Sequence, residues 1–222
     1  MPRFFKRMLG RKTAALPIRR DQKLLKIVDG VLDACEYVIA IGEGAAETAI
    51  FLGERNPTVE FLACEPQSET YFEAAERATG LKNVYLFNAA PKFFLKMIDK
   101  DKPYLFGRDV LVVVSAAGGG ADRDMKWEIE FIAGRFQAAF LLLTGLGPSA
   151  GDSGPAGGGT GDGFSIKALA PCFAGVEYAS YHPRFAARGA SRVKEPEWRL
   201  VALGRNHDFD FSDDAKACLA KD

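Results

Sequence analysis

The chain has 222 residues, 48% of them hydrophobic and 26% charged, which is typical of one globular domain with a sizeable core. No apolar run is long enough to cross a bilayer and no segment resembles a cleavable signal peptide, so a cytoplasmic location is expected. Four cysteines and two histidines without zinc-site spacing give no reason to expect a metal.

The formal net charge of zero is unevenly distributed along the chain. Residues 1–26 carry nine basic side chains and one acid, Asp21, so this segment has a charge of +8 and the remainder −8. We expect residues 1–20 to form a basic arm, either solvated with its aromatic side chains packed on the domain or in contact with an anionic surface. No specific nucleic-acid motif accompanies it.

Apolar runs alternate with segments of helical spacing through most of the chain, which predicts an α/β domain at 21–205. A helix capped by Asp21 leads into the first strand. Strands are predicted at 37–41, 59–64, 84–87, 109–114, 137–144, 176–181 and 198–203, with helices between most of them. Residues 100–108 are expected to be a polar linker, and 206–222 a tail with a short helix after Ser212.

A glycine bend and an acid mark a ligand site in the first two strands. Gly42 and Gly44 follow the strand at 37–41, where their lack of a Cβ permits a sharp turn and a close approach of a ligand to the backbone. Glu65 ends the next strand, 23 residues after Gly42, where a carboxylate accepts hydrogen bonds from both hydroxyls of a ribose. The pattern predicts a nucleoside site.

The residues next to the bend favour one class of nucleoside cofactor. A dinucleotide fingerprint needs a third Gly or Ala where this chain has Glu47, and an acid is a poor neighbour for a pyrophosphate. S-adenosylmethionine has no phosphate and carries cationic sulfonium and ammonium groups. Acids such as Glu43 and Glu47 are therefore acceptable next to it. A dependence on NAD is the less favoured alternative.

On these residues the stretch resembles the class I S-adenosylmethionine-dependent methyltransferases. The matching motif positions are Ala40, Gly42, Gly44 and Ala46, where the family has an acid and three glycines, and Glu65 matches the ribose-binding acid. The resemblance implies a Rossmann-like, doubly wound, mostly parallel sheet of about seven strands that ends in an antiparallel pair. It also implies S-adenosylmethionine as cofactor.

The resemblance assigns cofactor-binding roles to the ends of two further strands. Asn88 matches the residue that faces the adenine amino group, although an Asx turn that closes a strand is an equally simple explanation. Many relatives have an acid at the position of Ser115, and in a related sugar-modifying group, the FkbM-like enzymes, further acids follow; here Ser115, Ala116 and Ala117 are small and uncharged. The implied cofactor-binding residues are Gly42, Glu43, Gly44, Glu65, Pro66, Asn88, Ala89 and Ser115.

The catalytic residues and the methyl acceptor are less well defined by sequence. Asp122, Asp124 and His182 are candidate bases, needed only if the acceptor must lose a proton. The Gly-rich segment 144–163 is either a lid that meets the acceptor or an insertion without chemistry. A small molecule or a glycan is a possible acceptor, and the alternative to an enzyme is an inactive, methyltransferase-like binding or assembly module.

Overall fold

A computed structural model of the chain describes residues 17–116, 124–144, 170–184 and 198–221. Helices and strands alternate over most of these residues, as the sequence predicts. In chain order they are α1 (Pro17–Arg20), α2 (Gln22–Leu32), β1 (Tyr37–Ile41), α3 (Ala45–Arg55), β2 (Glu60–Cys64), α4 (Ser68–Ala78), β3 (Val84–Phe87), α5 (Pro91–Asp101), β4 (Val110–Ser115), α6 (Met125–Arg135), β5 (Ala138–Thr144), β6 (Tyr178–Pro183), β7 (Trp198–Gly204), α7 (Asp213–Cys218) and β8 (Leu219–Lys221). Short 3-10 helices lie at Pro103–Gly107 and Ala170–Phe173.

The strands form one sheet in the order β3-β2-β1-β4-β5-β7-β6-β8. The first five are parallel, whereas β7 is antiparallel to β5 and to β6, and β8 is antiparallel to β6. The order reverses between β1 and β4, which makes this the switch point where ligands bind in open parallel sheets. The predicted doubly wound, mostly parallel sheet with a terminal antiparallel pair is confirmed.

Alternate residues of the strands supply two separate cores, one on each face of the sheet. Val38 and Ala40 of β1 face α2, α3 and α4, while Ile39 and Ile41 face α5 and α6. Strands β1, β4 and β5 lie in the middle of the sheet, and their apolar runs are buried because helices cover both faces. The central strands therefore hold the switch point rigidly.

Asp21 connects the start of the domain to the antiparallel half of the sheet. Its Oδ1 accepts hydrogen bonds from the backbone N–H groups of Lys23 and Leu24, which caps α2 as predicted. Its Oδ2 accepts a hydrogen bond from Trp198 Nε1 of β7 at 3.1 Å. A contact across 177 residues in sequence is invisible to local pattern analysis.

Two segments differ from the sequence prediction. The expected linker at 100–108 is instead the last turn of α5 and a 3-10 helix, whose Leu105 is fully buried. The expected tail contains α7 but also β8, which extends the sheet; three residues are too few to show a strand period. Phe209 and Phe211 of the same segment pack against each other, and Phe209 packs against Phe140 of β5.

Several predicted features lie outside the described residues. They are residues 1–16 of the basic arm, Asp122, and the Gly-rich segment beyond Thr144. Among the helices that the structure does describe, none combines the length and the apolar character that a membrane span requires.

Candidate cofactor site

The bend after β1 depends on two glycines with positive φ. Gly42 has φ 102° and Gly44 has φ 78°, conformations that side chains with a Cβ rarely adopt. Gly44 is also the residue before α3, and its carbonyl oxygen accepts hydrogen bonds from the backbone N–H and the hydroxyl of Thr48. The chain therefore turns directly from β1 into α3 and leaves the bend at the carboxyl end of the strand.

Glu65 reaches this bend from the neighbouring strand. Its Oε2 accepts a hydrogen bond from Gly44 N–H at 2.8 Å, and its Oε1 accepts one from Gln67 N–H at 3.2 Å. The residue has no exposed surface, although Pro66 and Gln67 directly after it are exposed. The structure thus brings together the two features on which the sequence prediction depends, the glycine bend and the strand-tip acid.

Burial raises the pKa of Glu65 above its ordinary value near 4.5. The backbone N–H groups of Gln67 and Gly44 lower this pKa, the negative charge of Glu43 raises it, and burial is the largest of the effects. Additional hydrogen-bond donors at the carboxylate would stabilise its charged form. Each Glu65 oxygen has more than one acceptor position, so a bound hydroxyl group could add to the N–H bond already present.

Asn88 holds the tips of β2 and β3 together. Its Nδ2 donates to the backbone carbonyl of Glu65 at 3.0 Å, and its Oδ1 accepts from the hydroxyl of Ser68, at the start of α4, at 3.1 Å. The side chain is exposed, and its carbonyl oxygen keeps a second acceptor position. Contact with an adenine remains a prediction, as it does for the half-buried Ala89, whose carbonyl accepts from Cys64 Sγ at 2.8 Å.

One acid in the bend and one in the first turn of α3 lie where a dinucleotide site holds a pyrophosphate. Glu43 lies between the two glycines of the bend, and Glu47 forms an ion pair with Arg77 of α4. Ala46, in the last position of the glycine motif, is fully buried in the core beneath α3. The N-terminus of α3 is therefore flanked by negative charge, which disfavours phosphates and favours cationic groups.

The carboxyl ends of β4 and β5 form the other side of the switch point. Ser115 and Thr144 are neighbours in register, and Ala116 N–H donates to the carbonyl of Thr144 at 2.7 Å. These described residues are uncharged, and Thr144 is buried. The rim beside the bend thus has the hydroxyl of the half-buried Ser115 and no acid at these three positions.

The two described candidate bases lie in different settings. Asp124 is exposed and accepts a hydrogen bond from Trp127 N–H at 3.0 Å, so it caps α6. His182 is at the carboxyl end of β6, with Nδ1 3.1 Å from the carbonyl oxygen of Pro183. Four strand spacings separate β6 from β1, a distance of about 19 Å across the sheet, so the structure does not bring His182 to the bend.

Glu128 is a buried acid that the sequence analysis did not select. It lies in the first turn of α6 and is 1% exposed, one of two acids buried in the part of the chain that the structure describes. Helical spacing places it with Met125 and Ile132 on the buried face of α6, a signal that the sequence already contained. Among the described residues no cluster of three or more acids, histidines or cysteines could hold a metal ion.

Comparison with known proteins finds similarity in structure only. No family model matches the chain, and no curated protein matches it. An O-methyltransferase family protein from Burkholderia thailandensis superposes with a TM-score of 0.51 at 16% identity, over 86% of this chain and 57% of that protein.

Two further solved structures are similar. A precorrin-6y C5,15-methyltransferase from Geobacter metallireducens has a TM-score of 0.47 at 14% identity, over 87% of this chain and 90% of that one. The N-terminal domain of EvdMO1, solved with SAH bound, has a TM-score of 0.49 at 14% identity, over 84% and 82%. With the sheet order and the bend described above, the likeness to the Burkholderia protein shows that this chain has the fold of the class I S-adenosylmethionine-dependent methyltransferases.

Proposed function

We propose that this protein is a methyltransferase that uses S-adenosylmethionine and binds the ribose of this donor with Glu65. The observation that carries the proposal is the 2.8 Å hydrogen bond between Gly44 N–H and the Glu65 carboxylate. It joins the strand-tip acid to a bend whose two glycines leave the backbone open to close approach. A ribose bound at this junction would lie beside the switch point of the sheet.

The charges near the bend agree with this donor. S-adenosylmethionine supplies a cationic sulfonium whose methyl group is the one transferred. Glu43, within the bend, would attract the cationic amino-acid portion, and Glu65 would accept hydrogen bonds from the ribose hydroxyls. Asn88 would accept a hydrogen bond from the adenine amine at the second acceptor position of its side-chain carbonyl oxygen, while its NH2 group stays on the Glu65 carbonyl.

At the ends of β4 and β5, the proposed site would hold the methyl acceptor in position next to the donor. Ser115, Ala116 and Thr144 carry no charge, so this part of the rim would orient an acceptor through shape and hydroxyl hydrogen bonds. A base is needed only for an acceptor that must lose a proton. For such an acceptor, Glu128 joins Asp122 and Asp124 as a candidate, because it is a buried acid in the first turn of α6, the helix that follows β4. His182 would serve only an acceptor that reaches as far as β6.

Calorimetry with S-adenosylhomocysteine, the product of the donor, tests the proposal. Glu65→Ala removes two hydrogen bonds from ribose to a charged group, each worth about 1.5–3 kcal/mol, so the affinity should fall by at least about 100-fold. Glu60→Ala is the matched control, because Glu60 is an exposed acid at the other end of the same strand. Absence of binding by the native protein, or equal losses in both variants, would contradict the proposal.

A binding or assembly module without methyl transfer is the second candidate. It is favoured by the complete burial of Glu65, whose two oxygens already accept backbone hydrogen bonds, and by the uncharged rim at Ser115 and Ala116. An assay in which the native protein is incubated with isotope-labelled donor and with small-molecule or glycan extracts distinguishes the two candidates. Transfer of label to any acceptor eliminates the module, whereas a shift of the melting temperature by NAD and not by S-adenosylhomocysteine supports the oxidoreductase alternative.

A further inference from the structure

The first described helix lies at the same end of the sheet as the candidate site. Asp21, which directly follows α1 and caps α2, accepts a hydrogen bond from Trp198 Nε1 at the start of β7. Trp198 pairs in register with Thr144 at the carboxyl end of β5, and Thr144 pairs with Ser115 at the carboxyl end of β4. Helix α1 therefore lies beside the rim formed by the carboxyl ends of the parallel strands.

Helix α1 also contacts the helix that begins at the glycine bend. Ile18 is buried in the core on the α2 and α3 face of the sheet, and the guanidinium carbon of Arg19 lies 6.0 Å from the centre of the Phe51 ring in α3. Helix α3 starts at Ala45, directly after the bend. With the bond from Trp198 to Asp21, these contacts fix the position of α1 relative to the rim, so a partner of this segment is held at the same end of the sheet.

Three basic side chains of α1 and the start of α2 are exposed, and within the described residues none of them forms an ion pair. They are Arg19, Arg20 and Lys23. Lys23 lies in the first turn of α2, where a basic side chain opposes the helix dipole and gives the helix no support. On the neighbouring α7, the acid Asp214 already pairs with Lys26 at 3.7 Å. The three cations are therefore available to an anionic partner.

The sequence that precedes α1 adds basic and apolar residues and no acid. In residues 1–16 the basic ones are Arg3, Lys6, Arg7, Arg11 and Lys12, and the large apolar ones are Met1, Phe4, Phe5, Met8, Leu9 and Leu16. This mixture is typical of segments that bind anionic lipid, because basic groups are attracted to the headgroups and apolar groups enter the acyl boundary. Base recognition in nucleic acids also uses Asn and Gln, and neither occurs in this segment.

We propose that residues 1–23 bind an anionic lipid surface and hold the carboxyl-end rim of the sheet against it. The basic side chains supply the attraction to phosphate and carboxylate groups of the lipid, and the apolar residues of 1–16 supply the contact with acyl chains. Because Asp21 and Ile18 anchor α1 beside the rim, the candidate site faces the lipid and the amino ends of the strands face away from it. Lipid binding of this kind is independent of the methyltransferase assignment.

Co-sedimentation of the full chain with vesicles tests the binding. Vesicles of equal parts phosphatidylserine and phosphatidylcholine should bind the protein at least about 10-fold more tightly than vesicles of phosphatidylcholine alone. Arg20→Glu combined with Lys23→Glu should weaken binding at least about 25-fold, since each basic residue near an anionic surface contributes about 5-fold.

A second double variant is the matched control for charge. Lys82→Glu combined with Lys100→Glu makes the same change of charge at exposed positions near the amino ends of β3 and β4. It should change binding by less than about 3-fold, because charges much further than about 8 Å from the lipid are screened. Circular dichroism of both double variants verifies the native fold.

Quenching by brominated lipids measures which end of the sheet faces the vesicle. A fluorophore on Gln67→Cys, directly after the carboxyl end of β2, should be quenched, whereas one on Thr58→Cys, before the amino end of β2, should not. Both carry Cys218→Ser, which removes the one native cysteine that is not buried. Absence of binding to the anionic vesicles, equal losses in the two double variants, or equal quenching at the two positions overturns the proposal, and so does binding of RNA in place of vesicles.

Discussion

Replacing Gly204 with alanine should destabilise the junction of β5 and β7. Gly204 has φ 58°, and a Cβ at this position would lie 2.1 Å from the carbonyl oxygen of Gln137, far inside a normal contact. The left-handed conformation costs an alanine about 1–2 kcal/mol. Because the colliding atom belongs to the backbone, a side-chain rotation cannot relieve the contact.

The backbone must therefore move, and the hydrogen bonds at this corner should weaken with it. These are the bond from Gly204 N–H to the Glu177 carbonyl at 2.8 Å and the bond from Arg205 N–H to the Gln137 carbonyl at 3.3 Å. At about 0.5–1.5 kcal/mol each, their partial loss brings the total to about 2–5 kcal/mol, a large share of the stability of a typical domain.

Urea denaturation followed by circular dichroism measures this loss as a change in the free energy of unfolding. Gly30→Ala in α2 is the matched control, because a Cβ there meets nothing within 4 Å, and the helix should gain about 0.5–1 kcal/mol. A Gly204→Ala protein within about 0.5 kcal/mol of the native protein would refute the reasoning.

Three further predictions concern single contacts. Asp21→Ala should lower the free energy of unfolding by about 1–3 kcal/mol, since it removes both the α2 cap and the acceptor of Trp198, and tryptophan fluorescence reports the second loss. Gly53→Ala should cost about 1–3 kcal/mol, because its Cβ would lie 2.5 Å from Val84 Cγ2; adding Val84→Ala should cost less than the two separate losses combined. Burial raises the pKa of Glu65. The contribution of this carboxyl group to the free energy of unfolding is therefore present below about pH 4.5 and is lost as the pH rises through the folded-state pKa. Glu65→Gln should therefore gain stability relative to the native protein over that interval, and a difference that is independent of pH would contradict this.

The sequence was sufficient for the sheet and for the two halves of the candidate site. Buried parallel strands are continuous apolar runs, so β1, β4 and β5 are recognisable without tertiary information. Gly42 and Gly44 identified the bend because positive φ requires residues of their kind. Strand β8 escaped detection because three residues carry no period.

The contacts that organise the site were not predictable from local pattern. The bond from Gly44 to Glu65 spans 21 residues, and its consequence, a fully buried carboxylate with a raised pKa, depends on packing. The sequence predicts Asn88 at an adenine or in an Asx turn, and the hydrogen bonds by which its amide connects two strand tips follow only from the fold. Asp124 follows ordinary capping chemistry, which sequence alone does not separate from a catalytic role.

The position of β7 has a consequence for the order in which the sheet assembles. Although β7 follows β6 in the chain, it lies between β5 and β6 and pairs with both. Among the described strands, β6 and β8 consequently connect to the parallel half of the sheet only through β7, so we expect this end of the sheet to join late in folding. In native-state hydrogen exchange, amides of β6 and β8 should open together at lower free energy than those of β1 and β4.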